Sequence, residues 1–199
     1  MNYINYLISL AKTAREKDPA RKSLIQYMLY SPGVKALASH KRAHALYNKG
    51  YYFLAERISA KSRAKTGIEI HPGAQIGDNP FIDHGMGIVI GETAIIGSNV
   101  TIFHGATLGG IGGEPGVKRH PTIGDNVLIG AGAKLLGNIN IGDGARIGAN
   151  AVVLSDVPAF ATAVGVPSRV ISRKPKLVRQ QDSNTKHAAE FNPELDYVI

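Results

Sequence analysis

Two stretches of the 199-residue chain gather the groups best suited to acid–base work. One is Asp83-His84-Gly85-Met86-Gly87. The other is Lys118-Arg119-His120, at the end of the loop GGIGGEPGVKRHP, residues 109–121. An imidazole has a reference pKa of roughly 6.5 and can take a hydroxyl proton near neutral pH. Such a base needs a second group to hold its tautomer, and Glu69, fourteen residues before Asp83, is a candidate. Arg119 offers a planar fork that matches a carboxylate. Glycines 109, 110, 112 and 113 permit a tight loop. A lone histidine at a surface corner is as readily structural as catalytic, so these residues gain meaning from the elements that carry them.

Those elements announce themselves by a period of six. Aliphatic residues recur as Ile70, Ile76, Ile82, then Ile90, Ile96, Ile102, Leu108, then Ile123, Ile129, Leu135, Ile141, Ile147, Val153. A small or β-branched residue follows four places later. This is neither a helical nor an alternating-strand pattern, and it predicts a parallel β-helix of triangular coils, one hexad per side. Thirteen hexads give a little over four coils, each aliphatic stacking on the one 18 residues away. The period breaks twice. Ile82 to Ile90 is two residues too long, and Leu108 to Ile123 is three more than two hexads. The two breaks hold the two acid–base stretches, and departures from an otherwise consistent pattern are where function is expected.

Before residue 67 the pattern is helical. Ile4, Leu7, Ile8 and Ala11 keep helical spacing up to Asp18-Pro19. Ser23 and Ser31-Pro32 mark two further helix starts, and Tyr51, Leu54, Ala55 and Ile58 form another stripe. The division is therefore a helical domain (1–66), a β-helix domain (67–171) and a polar tail (172–199), expected to be flexible. Residues 1–66 hold 13 Lys/Arg against 3 Asp/Glu, while the rest holds 10 against 12. A basic face could attract an acidic partner, but a solvated helical surface accounts for it, and no nucleic-acid motif accompanies it. Without cysteine the chain has neither disulfides nor thiol chemistry. No apolar run reaches membrane-spanning length, and the first residues lack a basic n-region and cleavage site, so a cytoplasmic protein is expected.

The segments IDHGMGIVIGETA, TLGG, KRHPTIGDNVLIGAGAKLLGNINIGDGARIGANAVVL and VGVPSRVI resemble the bacterial serine acetyltransferase family, over about residues 15–175. The resemblance implies a left-handed parallel β-helix with an N-terminal α-helical domain. It implies transfer of acetyl from acetyl-CoA to the L-serine hydroxyl, giving O-acetylserine for cysteine synthesis. By the same likeness His84 is the general base. Asp18 and Asp83 hold the serine ammonium. Arg119 and His120 bind its carboxylate, with His120 also near the hydroxyl. Glu69 stands where the family has an aspartate paired with the base. Gly110, Ala131, Arg146 and Ala149 line the CoA groove; corner packing alone would also account for these small residues, as a helix terminus would for Asp18.

With no cysteine and no Gly-x-Ser-x-Gly elbow, direct transfer is expected, and no metal is required. The resemblance further implies a homotrimer or a dimer of trimers, and docking of the C-terminal Ile199 into cysteine synthase. His84 and His120 are 36 residues apart, nominally two coils or roughly 9–10 Å along the axis. A site shared between adjacent protomers follows. Three rivals remain. A sugar O-acetyltransferase would keep the repeat and the histidine. A zinc hydratase would use His84, His104 and His120. A repeat scaffold would use none of them.

Overall fold

The computed structural model describes residues 2–20, 22–114 and 116–171; the tail 172–199, with Ile199, lies outside them. Four helices come first: α1 (Tyr3–Lys17), α2 (Leu24–Tyr30), α3 (Pro32–Tyr47) and α4 (Tyr52–Thr66). Their starts are set by local chemistry. Ser23 and Gln26 form a reciprocal capping box on α2, and Ser31 caps α3 with Pro32 in its first turn. Gly67, with φ +70°, ends α4 in the left-handed conformation and turns the chain into the coil. No helix among the described residues is long and apolar enough to cross a membrane.

The hexads then wind into a parallel β-solenoid of about five turns. Side one stacks Glu69–Ile70, Val89–Ile90, Thr107–Gly109, Lys134–Leu136 and Val152–Val153. Side two stacks Gln75–Ile76, Ile95–Ile96, Thr122–Ile123 and Asn140–Ile141. Side three stacks Phe81–Asp83, Thr101–Phe103, Leu128–Ile129, Arg146–Ile147 and Thr162–Val164. The antiparallel strand Arg169–Ile171 pairs with Thr162–Val164 and covers that edge. The repeated aliphatics point inward as expected, and Ile90, Leu108, Leu135 and Val153 are at most 1% exposed. The same core continues into the helices through Leu10, Val34 and Leu37.

The stacking departs from a plain 18-residue repeat in three places, the first as the sequence expects. Ile70 stacks on Ile90, twenty residues on, because the Asp83–Gly87 corner carries two extra residues. Leu108 and Ile123 lie on consecutive sides, so the loop after Gly109 adds nine residues to one hexad rather than three to two. The last turn runs past Val153: Val157 bridges to Ile141, and Ala163 pairs with Ile147. The step from Val153 to Val157 is two residues short, and on the side after it alanine replaces the aliphatic, which hid this turn from the period.

Candidate active site

His84 stands at the corner between sides three and one, in a left-handed backbone (φ +58°) followed by Gly85 at +89° and Gly87 at +75°. A Cβ on Gly85 would come within 2.5 Å of Ile68, so glycine lets this enlarged corner fold onto the core. The His84 side chain is 74% exposed, and its Nε2 lies 3.9 Å from Asp83 Oδ1, too far for a hydrogen bond. One turn below, His104 meets its ring edge-on with centroids 5.9 Å apart.

The end of α1 and the turn into α2 roof this corner. Lys17 Nζ donates to Asn99 O (2.9 Å) and Thr101 Oγ1 (3.2 Å), tying the end of α1 to side three. Asp18 follows. Its Oδ1 accepts the Ala20 N–H (2.8 Å), and its Oδ2 accepts the Tyr27 hydroxyl (2.8 Å). The Ala20 amide holds the Asp18 carboxyl below the usual range against the effect of partial burial, helped by Tyr27, Lys22 and His84. Tyr27 is pushed up, first by burial and then by its bond to Asp18. Asp18, Tyr27, Asp83 and His84 line one cavity of about 460 Å³.

His120 stands at the corner between sides one and two, buried under the loop. Tyr47 Oη donates to Glu92 Oε1 (3.1 Å), and Arg119 Nη2 bonds Glu92 Oε2 (2.7 Å), so α3 and the coil together hold the guanidinium. Thr93 Oγ1 accepts the backbone N–H of Arg119 (3.0 Å) and of His120 (3.2 Å). Lys118 Nζ donates to the His120 carbonyl. Burial lowers the His120 pKa, and the charges of Arg119 and Lys118 lower it further. Partial burial raises the Glu92 carboxyl, but the bonds from Tyr47 and Arg119 outweigh it and leave it below the ordinary value.

The residues singled out in the sequence therefore form two groups. Asp18, Asp83 and His84 meet at the first corner. Ala131 and Ala149 sit one turn apart at that same corner, joined by Asn150 N–H to Ala131 O (2.7 Å), and Arg146 leads into it along side three. Arg119, His120 and Gly110 meet at the second corner, where a Cβ on Gly110 would lie 3.1 Å from Arg119 and 3.2 Å from His120. His84 and His120 are one turn plus one side apart, not two coils, because nine of the intervening residues are loop. A side of five to six residues separates them by roughly 15–20 Å at strand rise. Glu69 joins neither group; its carboxylate pairs with Arg63 of α4 at 2.8 Å. Among the described residues no three His, Asp or Glu side chains converge as metal ligands. His104 shares the corner of His84, and His120 does not.

Sequence reasoning missed Tyr27, Glu92 and Thr93. Glu92 and Thr93 lie inside the motif IDHGMGIVIGETA, but nothing in their spacing points across the coil to a loop 26 or 27 residues on. Tyr27 has no sequence signal beyond its place in a helix.

Residues 120–155 match the bacterial transferase hexapeptide family (six repeats). The chain is 56% identical to serine acetyltransferase of Bacillus subtilis (strain 168) over 168 residues, 84% of this chain and 77% of that protein. It superposes on soybean serine acetyltransferase complexed with serine with a TM-score of 0.81 and 46% identity, covering 85% of this chain and 69% of the other. A serine acetyltransferase complexed with CoA gives a TM-score of 0.78 at 40% identity, again over 85% and 69%. The chain belongs to the serine acetyltransferase family.

Proposed function

We propose that this protein transfers acetyl from acetyl-CoA to the hydroxyl of L-serine, giving O-acetylserine, in a cleft between adjacent protomers of a homotrimer or a dimer of trimers. The observation that carries the reading is the division of the site. Ammonium-binding carboxylates and a free imidazole share one corner, while a held guanidinium and a buried imidazole share the next. Neither half suffices alone, and a neighbouring copy supplies the missing one.

In this reading Asp18 and Asp83 bind the serine ammonium. Both Asp18 oxygens are already oriented by Ala20 and Tyr27, and its lowered pKa keeps it ionised. Arg119, fixed by Glu92, binds the serine carboxylate, with His120 beside it. Together these contacts direct the hydroxyl towards His84. His84 takes the hydroxyl proton as the oxygen attacks the acetyl carbonyl carbon. The tetrahedral intermediate expels sulfur as the C–S bond breaks, and the His84 imidazolium returns the proton to it, releasing CoA as the thiol. The transfer is direct in this reading, the sequence offering neither a cysteine nor a Gly-x-Ser-x-Gly elbow as an acyl carrier. Ala131, Arg146 and Ala149 of one copy and Gly110 of the next line the CoA groove. In this reading Glu69 gives up its bond to Arg63 and pairs with the base once serine is bound. No metal takes part.

The reading extends to the end of the chain. Ile199 docks in cysteine synthase, its free carboxylate standing in for that of a substrate. Deleting Ile199 abolishes co-purification of the two proteins if so, and unchanged binding refutes it. The catalytic proposal is tested by CoA release from acetyl-CoA with a panel of hydroxy amino acids and sugars. Turnover with serine supports it. Turnover confined to sugars replaces it with the polysaccharide O-acetyltransferase alternative.

A further inference from the structure

The hydrogen bonds around His120 decide which of its nitrogens carries the proton. The backbone N–H of Thr93 can only donate, and it points at His120 Nδ1 from 3.2 Å. The Thr93 hydroxyl lies 2.9 Å from the same nitrogen. That hydroxyl oxygen already accepts two backbone N–H groups, from Arg119 and His120, so its own hydrogen is left to point at Nδ1. Two donors aimed at one ring nitrogen require it to be unprotonated, and the neutral ring then carries its hydrogen on Nε2.

The ring's position is fixed as firmly as its tautomer. The Cδ2–Nε2 edge of His120 packs against Gly91, where a Cβ would fall 2.0 Å from both Cδ2 and Nε2. Nothing but glycine leaves room for the imidazole there. The backbone of Gly91 does not have a positive φ, so turn geometry does not demand glycine; the seat of the ring does.

We infer that Gly91 and Thr93 form a socket that fixes His120 as a neutral hydrogen-bond donor through Nε2–H, aimed at a substrate oxygen, and not as a second base. Gly91 and Thr93 are positioning residues, acting through His120. The lowered pKa of His120, from burial and from Arg119 and Lys118, agrees with a ring that stays neutral. The assignment of the oxygen to bound substrate rests on the function proposed above; the tautomer does not.

Two substitutions separate donor from base. A glutamine side chain can place an amide N–H near the position of imidazole Nε2 but cannot accept a proton. We expect His120→Gln to retain kcat/KM for serine within about tenfold of wild type, and His120→Ala to lose on the order of a hundredfold, the scale of removing one placed donor. Equal loss in both variants overturns the donor role. The socket is tested on the intact oligomer with ring-15N histidine, following the His120 signals by NMR. Wild type should show protonated Nε2 and bare Nδ1 from pH 8 to 6. Thr93→Val should put the proton on Nδ1 in part of the molecules, and Thr93→Ser should restore the wild-type pattern. Protonated Nδ1 in wild type overturns the socket, whatever substrate the enzyme prefers. A failure of serine turnover with bare Nδ1 intact overturns the proposed function and leaves the socket standing.

Discussion

The two histidine corners of the solenoid are built in opposite ways. At the first, His84 sits on a left-handed backbone, largely exposed, with its nearest carboxylate oxygen 3.9 Å away. At the second, His120 is 8% exposed, seated on a glycine and held at Nδ1 from two directions. A ring that must pick up and release a proton during turnover cannot have that proton's site occupied beforehand, and a ring that must present a donor gains from being fixed. The difference teaches that similar interruptions of a repeat can leave one imidazole exposed and hold another fast, the first suited to the proposed base and the second to a fixed donor. The choice lies in the residues one turn away.

This contrast can be broken at several points. The largest effect belongs to the free ring. His84→Ala should lower kcat by roughly 10² to 10⁴, with a much smaller change in KM for serine, in a steady-state assay of CoA release. A loss under tenfold would move the base elsewhere. Next comes the clamp at the second corner. Glu92→Gln loosens Arg119 and should raise KM for serine by about tenfold, about 1.4 kcal/mol, while leaving kcat near wild type. A drop in kcat with unchanged KM would give Arg119 a role in the chemical step.

A smaller effect is expected at the roof of the first corner. Tyr27→Phe removes one of the two donors that orient Asp18 and should raise KM for serine only roughly threefold, because the carboxylate keeps its charge and its bond from Ala20. The Asp18 carboxyl then moves up towards its ordinary pKa. The rise in KM on acidification should therefore begin at higher pH in the variant than in wild type. Identical pH profiles would remove Tyr27 from the account.

A third imidazole completes the comparison with no effect on turnover. His40 is buried, its Nδ1 has no partner among the described residues, and desolvation by burial leads the causes that lower its pKa to about 3. Between pH 6.5 and 3 the unfolded chain takes up a proton here that the folded chain refuses, so stability falls as pH drops through that window. His40→Leu should lose about 2 kcal/mol less stability than wild type between pH 7 and 5, by urea unfolding, with kcat unchanged. Parallel stability profiles would contradict the burial of a neutral ring.

Much of this was legible in the sequence, for definite reasons. Stacking demands one inward aliphatic per side, so the period of six survives every solvent-facing substitution. Ser23 and Ser31-Pro32 mark helix starts because capping is local chemistry within four residues. What the sequence hid is what depends on where the chain goes in space. Counting from Leu108 cannot tell which side Ile123 belongs to, so the loop was undercounted and the two histidines misplaced by most of a turn. The last turn escaped because Ala163 fills a slot that isoleucine fills elsewhere. Asp18 and Tyr27 meet only because α2 folds back beside the end of α1. Glu92 and Thr93 act on residues 26 and 27 places downstream, across a coil boundary no periodicity describes. Glu69 was visible as a carboxylate near the break; its engagement by Arg63 required the docking of α4.

The most direct test of the divided site mixes two inactive chains. One carries His84→Ala, the other Arg119→Ala with His120→Ala, and the two are unfolded together and reassembled in equal amounts. If each site takes its halves from adjacent protomers, random mixing restores about a quarter of wild-type turnover, because one cleft in four pairs the two intact halves. Turnover no higher than that of either parent, in oligomers confirmed to contain both chains, would place the whole site within one chain and contradict the account.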